Sequence, residues 1–356
     1  MRDLDRFQGC LVGGAVGDAL GYAIEFDKEP AIFREYGPEG IRDYKLVGGR
    51  AEISDDTQMT LFTAAGLLAD RALGTNDPVR AINEAYLDWY QTQQHARFRE
   101  PRRNSWLMDV PGLYDRRAPG NACLGALESG GMGTPEKPIN HSKGCGGVMR
   151  VAPIGLYWGD TGTDFPYIDR IGAGAAALTH GHPLGWLSSA MLVDMIHCIA
   201  QEDASIPDAV RHAIAAVPPL YPQAAEDAAC QVELLERAMA LETADEEPLK
   251  AIHALGEGWV GEEALAIAVY CALRFPDCFE EAVILSVNHK GDSDSTGAVL
   301  GNLLGAKLGL KGIPERFLQP LELKDVILTV AEDLWKGGDP ADPAFRAKYG
   351  GTDRTP

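Results

Sequence analysis

GCLVGGAVGDALGYAIEF occupies residues 9–26 and TGAVLGNLLGAKLGL occupies residues 296–310. Each carries glycine at every fourth position: Gly9, Gly13, Gly17 and Gly21 in the first, Gly297, Gly301, Gly305 and Gly309 in the second. That interval keeps all the glycines on one face of a helix. Each costs about 1 kcal/mol relative to alanine at a helical position, so a bare stripe this long needs a packing reason. Close approach of one helix backbone to another supplies it. The two segments are therefore expected to be central helices, lying against each other. The acidic turn just before Thr296 would then come next to the first helix.

Outward from these segments the same helical spacing recurs. It is clear over 57–73, 79–94, 185–200 and 262–275, and over 321–335, where Leu323, Val326, Ile327, Val330 and Leu334 form one stripe. Alternating Val/Ile runs bounded by turn residues are nearly absent. The expected fold is all-α, a compact multi-helix orthogonal bundle. Residues 96–150, broken by Pro101, Pro111, Pro119, Pro135 and Pro138, form a long connection of the kind that is functional or hides short helices. Residues 223–247 read as a solvated acidic face. No composition break divides the chain, so one domain over 1–336 is expected, followed by a polar tail, 337–356, that is partly disordered.

The chain has 356 residues, 46% of them apolar, enough for a sizeable core. Its 52 acidic against 32 basic residues give a formal charge of -20, a field that repels a long duplex nucleic acid or an anionic membrane. The seven cysteines are scattered with no C-x-x-C pair, which supports neither a disulfide framework nor a thiolate zinc site. No run approaches the roughly 18 apolar residues of a membrane span, and no leader pattern is visible. A cytoplasmic protein, monomeric for want of a spare apolar stripe, is expected.

Three acidic groups stand out: Asp18 with Glu25, seven residues apart and on one helix face; Ser54-Asp55-Asp56 before the helix at 57; and Asp292-Ser293-Asp294-Ser295 before the helix at 296. Singly, each hydroxyl–carboxylate turn is explained by helix capping and the helix dipole. Their duplication points further, because neighbouring carboxylates repel unless a cation lies between them. Hard oxygen donors without His or Cys suit Mg²⁺ or Mn²⁺, and two facing turns suit a pair of ions.

Six motifs in order, GGAVGDALGYAIE (13–25), SDDTQM (54–59), GCGGVMRVAPIGL (144–156), LTHGHPL (178–184), GEGWVGEEALAIAVYCAL (256–273) and GDSDSTGAVLGNLLGA (291–306), resemble the ADP-ribosylglycohydrolase family. The resemblance covers most of the chain, from about residue 9 to 310. It implies an all-α hydrolase with a two-metal site that cleaves the bond between ADP-ribose and an acceptor. The family's metal-binding turns fall on Ser54, Asp55 and Asp56 and on Asp292, Asp294 and Ser295. Serine replaces the usual threonine at 54 and 295 and keeps the hydroxyl. The family's characteristic glutamate falls on Glu25, which ranks first as acid or base, with Asp292 behind it. Two Mg²⁺ ions (or Mn²⁺) would bind the distal ribose hydroxyls, and the acidic site would stabilise an oxocarbenium-like centre.

The loop Gly144-Cys145-Gly146-Gly147 opens what reads as a helix from Val148. Alone it is a turn; in the family pattern it is a backbone nest for the pyrophosphate, with Cys145 standing where many relatives have asparagine. His180 is expected to line the pocket rather than bind metal. Trp259 is a candidate to stack on adenine or close the pocket, or else to belong to the core, and Asn121 to meet the distal ribose or leaving group. Arg150 either reaches phosphate or forms an internal ion pair. Cys145 has no adjacent base and is set aside as a nucleophile. The resemblance favours an ADP-ribosylated protein as substrate, most simply at arginine, with serine, acetyl and base linkages also found in the family, and free ADP-ribose as product. The alternative is a catalytically weak ADP-ribose-binding or toxin-neutralising protein on the same fold.

Overall fold

The computed structural model describes residues 2–94, 105–130, 132–159 and 164–351. These form seventeen α-helices and short 3-10 turns. The described residues contain only isolated β-bridges and no strand. The first half holds α1 (Leu4–Tyr22), α2 (Glu29–Tyr36), α3 (Asp55–Leu73), α4 (Pro78–Thr92), α5 (Asn121–Glu128), α6 (Ala152–Tyr157), α7 (Phe165–Ala177) and α8 (Pro183–Glu202). The second half holds α9 (Ile206–Ala216), α10 (Ala225–Glu242), α11 (Pro248–Leu255), α12 (Gly261–Arg274), α13 (Phe279–Val287), α14 (Ser293–Leu308), α15 (Glu315–Leu318), α16 (Lys324–Lys336) and α17 (Pro343–Tyr349). The all-α expectation holds.

The glycine stripes do what their spacing implied. α1 and α14 run antiparallel with backbones in contact: a Cβ at Gly9 would lie 2.3 Å from the Gly305 oxygen, one at Gly13 2.3 Å from that of Gly301, and one at Gly17 1.9 Å from that of Gly297. At the end of this ladder Gly21 faces the backbone of Ser293. The metal-type turn before α14 is thereby delivered to the C-terminal end of α1. α12 and α8 pack on the same core, and almost every residue of α8 is buried. By length and apolarity α8 could cross a membrane, contrary to the sequence reading. Its burial marks it here as a core helix.

Two boundaries differ from expectation. α1 ends at Tyr22, so Glu25 lies in the following turn and not on the helix that carries Asp18. The tail, as far as residue 351, folds back: α17 packs on α3, Phe345 and Tyr349 are buried, and Tyr349 Oη donates to Asp333 Oδ2 at 2.6 Å, while residues 352–356 lie outside the described residues. Its two aromatic residues both fall on α17, a signal diluted by the surrounding Gly, Pro and Asp. The long connection hides 3-10 turns at Trp106–Asp109, Pro111–Tyr114 and Cys145–Arg150 and the helix α5. Its residues 96–104 lie outside the described residues.

Candidate active site

The two acidic turns meet in one cavity of about 460 Å³. Ser54 caps α3 by accepting from Asp56 N at 3.2 Å, and Asp292 caps α14 by accepting from Ser295 N at 3.2 Å. Capping therefore exists, as the local reading required, and it aims the neighbouring carboxylates outward from two helix N-termini. Asp55, Asp56, Asp292, Asp294, Ser295 and Glu25 all line the cavity. The Ser54 hydroxyl is instead turned into the cap, buried behind Asp56. Asp18 is engaged elsewhere: fully buried, it accepts from Ser54 N at 3.0 Å and Thr57 N at 3.1 Å and so anchors the start of α3 to α1.

The carboxylates are crowded and dry. Burial, then the charges of Asp292 and Asp55, push Glu25 up to about 8, and burial followed by Asp18 and Asp292 pushes Asp55 up to about 8. Burial, then the charges of Asp18 and Asp55, raise Asp56 well above the ordinary carboxylate range, and burial, then the charges of Asp56 and Asp292, do the same to Asp294. Glu25 Oε2 and Asp56 Oδ1 are buried without any hydrogen-bond partner. Orphaned acceptors facing like charges are what a bound cation satisfies, and an all-oxygen donor set suits a hard ion such as Mg²⁺. The fit is open, since no three of these carboxylates bring oxygens within 4.8 Å of one another. An ion would have to draw them inward.

A pH dependence follows. Both Glu25 and Asp55 have folded pKa values above their unfolded ones. The stability they contribute is full below about pH 4 and is lost as pH rises through about 8. With chelator present, the unfolding midpoint should fall between pH 5 and pH 8; millimolar Mg²⁺ should flatten the decline. Calorimetry under both conditions tests this, and a chelated protein whose midpoint rises over that range would contradict it.

The other expected residues are sorted by the geometry. Gly144, Gly146, His180, Asn121 and Trp259 line the same cavity. Gly147 does not: a Cβ there would meet the Gly185 oxygen at 2.7 Å, so it serves packing against α8. The expected backbone nest is also partly spent. Gly144 N donates to Ser142 Oγ at 3.3 Å and Cys145 N to the Trp259 oxygen at 3.2 Å, and the segment continues as a 3-10 turn and not an α-helix. The Ser142 contact is local, two residues away, whereas the Cys145 donor is consumed by a pairing with a distant loop that local sequence does not reveal. The N-terminal turn of α5, with Asn121 at its first position, opens onto the cavity and offers alternative N–H donors.

Arg150 does not line the cavity and forms no ion pair among the described residues. It is fully buried, stacks over the Tyr86 ring at 4.2 Å, and donates to the Ala175 oxygen at 3.1 Å and to Thr179 Oγ1 at 2.7 Å. Thr179 Oγ1 lies 2.8 Å from His180 Nδ1. Because Arg150 only donates, the hydroxyl can pass its own hydrogen to Nδ1, which leaves Nε2–H as a donor beside Gly144 and Gly146. Burial, then Arg150, lowers His180 to about 3, so this ring stays neutral.

One aromatic neighbour was missed from sequence. Phe26, directly after Glu25, is 74% exposed and lies nearly parallel to Trp259, ring centroids 6.4 Å apart, forming an aromatic lip on the cavity. An exposed aromatic beside a charged site residue was the available signal. Cys145 Sγ donates to Asp292 Oδ2, and burial and that carboxylate raise the thiol well above its usual range, which agrees with its exclusion as a nucleophile. The lip is held from behind, where Glu263 Oε2 accepts from Glu257 N at 2.9 Å and Gly258 N at 3.1 Å.

Comparison with known proteins decides the assignment. Residues 1–344 match the family model described as ADP-ribosylglycohydrolase. The chain belongs to the ADP-ribosylglycohydrolase family. It is accordingly a hydrolase of ADP-ribose glycosidic bonds. Over 329 residues it is 27% identical to the ADP-ribosyl-[dinitrogen reductase] glycohydrolase of Rhodospirillum rubrum, spanning 90% of this chain and 91% of that one. It is 24% identical over 365 residues to the ADP-ribosylarginine hydrolase Tri1 of Pseudomonas putida, with 98% and 82% covered. A solved ADP-ribosylglycohydrolase-related protein complex superposes with a TM-score of 0.60 at 26% identity, covering 94% of this chain and 98% of the other.

Proposed function

We propose that this ADP-ribosylglycohydrolase removes ADP-ribose from arginine side chains of a modified cytoplasmic protein, using Mg²⁺ held by Asp55, Asp56, Asp292, Asp294 and Ser295. The observation that carries the reading is the set of buried, mutually repelling carboxylates, two of them with orphaned oxygens, lining one cavity. When bound, a pair of such ions would supply Lewis-acid charge for the distal ribose hydroxyls and for an ordered water.

The chain's own groups account for the rest. Glu25, lining the cavity with one oxygen unpartnered, is positioned to move a proton to or from the reacting water or the leaving nitrogen. The surrounding carboxylates favour positive charge developing at the ribose C1″. His180 Nε2–H and the first turn of α5 offer donors to phosphate oxygens. The acidic mouth attracts a guanidinium more strongly than a neutral acceptor, and one relative's name specifies ADP-ribosylarginine.

The test is release of free ADP-ribose from an arginine-ADP-ribosylated protein, with Mg²⁺ and with chelator, against serine-linked and acetyl-linked substrates. Mg²⁺-dependent release from arginine alone is expected; preference for another linkage would overturn the arginine reading. Trp259→Ala should raise KM about tenfold with kcat nearly unchanged, since stacking a base on an aromatic ring contributes about 1–3 kcal/mol. Steady-state kinetics on the same substrate measures it. An unchanged KM would leave the lip without a role in binding.

A further inference from the structure

The sequence DMIHC at 194–198 was absorbed by none of the motifs above. Asp194 and Cys198 stand four residues apart on one face of α8, roughly 18 and 24 Å along the helix from its N-cap, His182. His212 of α9 lies over them. Its Nδ1 is 2.9 and 3.0 Å from the two Asp194 oxygens, and Cys198 Sγ is 3.8 Å from Asp194 Oδ1. The ligand-capable atoms of all three lie within 4.8 Å of one another, and no other trio of His, Cys, Asp or Glu among the described residues converges so closely. Asp194 and Cys198 are buried, while the His212 side chain is 41% exposed, so the cluster is open to solvent on one side.

A second observation points to a ligand. Asp169 of α7, which packs against α8, is fully buried, and neither of its oxygens has a hydrogen-bond partner. Its leading charged neighbour is Asp194, and Asp194, Glu202 and Asp169 all bear on Cys198. Acidic charge thus gathers on a buried thiol. The imidazole is preset: the Phe165 ring packs against His212 at 4.4 Å and against His197 at 4.9 Å.

We propose that Asp194, Cys198 and His212 form a site for a divalent cation of the Zn²⁺ class, joining α8 to α9, with solvent at the open position; the thiolate and the Asp194 carboxylate together neutralise the ion. One sulfur, one imidazole nitrogen and one carboxylate oxygen are the donors that Zn²⁺ and Co²⁺ prefer and that Mg²⁺ does not. Bonds of about 2.0–2.3 Å set tetrahedral edges of about 3.3–3.8 Å. The Cys198–Asp194 separation fits, and the Asp194–His212 pair need open only slightly. The ion is a helix clamp, distinct in place and in donor chemistry from the acidic cavity.

The experiment is titration of the full chain with Co²⁺ and with Zn²⁺. A near-ultraviolet sulfur-to-cobalt absorption should appear in the unsubstituted protein. It should persist in Cys145→Ser, which removes the thiol bonded to Asp292 in the acidic cavity, and vanish in Cys198→Ser. His212→Ala, which keeps the thiol and the carboxylate, should weaken Co²⁺ binding at least about tenfold. Zn²⁺ should raise the unfolding midpoint of Asp294→Asn, whose acidic cavity is impaired, and leave that of the double variant Asp294→Asn with His212→Ala unmoved. No sulfur-to-cobalt band, a band that survives Cys198→Ser, or unchanged affinity in His212→Ala would overturn the site.

Discussion

Asp294→Asn is expected to lower kcat/KM by about 10²–10³-fold, the scale on which one preorganised charged group contributes to a transition state, and at the same time to make the metal-free protein more stable. The two effects share a cause. Asp294 is buried among Asp56, Asp292 and Glu25, and burial and these charges hold its carboxyl well above the ordinary range. Near neutral pH the unfolded chain releases that proton and the folded chain does not, so folding works against the acid. Asparagine keeps the shape and removes the penalty. A gain on the order of 1–2 kcal/mol at pH 7 in chelator is expected, larger at pH 8 than at pH 5. Activity assays and calorimetry on one preparation test both halves. A variant as active as the original would remove the acidic cluster from the chemistry and leave an ADP-ribose-binding role. One that is inactive but less stable would show that the carboxylates are not in conflict in the free protein.

Gly17→Ala is expected to destabilise the protein by about 3 kcal/mol or more, the upper end of overpacking effects. The added methyl would stand 1.9 Å from the Gly297 oxygen and 2.2 Å from its carbonyl carbon. Both are backbone atoms of a buried helix, with no side chain able to turn away. α1 and α14 must separate, and with them the Glu25 turn and the Asp292–Ser295 turn. Mg²⁺ affinity should fall along with stability, because site geometry tolerates little displacement. Gly125→Ala is the contrast. It lies inside α5 with nothing within 4 Å of an added Cβ, and should gain about 0.5–1 kcal/mol. Chemical denaturation and Mg²⁺ titration of both variants measure the difference. Equal midpoints for Gly17→Ala and the unsubstituted chain would mean the close approach determines nothing.

Much of this architecture was legible in the chain because it rests on periodicity. The four-residue glycine interval announced the α1–α14 contact, and paired hydroxyl–carboxylate turns announced the acidic cavity. What escaped depends on tertiary pairing. The donor of Cys145 is consumed by the Trp259 carbonyl, more than a hundred residues away. Arg150 acts on His180 through Thr179, a relay that no spacing displays. The placement of Glu25 beyond the end of α1 reflects a helix that stops at Tyr22 although its apolar pattern continues. Burial of the tail required knowing that α3 leaves a surface for Phe345 and Tyr349 to cover.

The antiparallel ladder between α1 and α14 also constrains how the chain matures. α1 leaves the ribosome early, whereas the helix it needs follows roughly 300 residues later. During synthesis the N-terminal segment must wait, unable to close its long-range contact, and such delays ordinarily expose surface that aggregates. A face made of glycine offers few apolar side chains to a wrong partner. The same stripe that permits backbone contact at the end therefore keeps the waiting helix comparatively inert, and the acidic cavity forms only once α14 has followed.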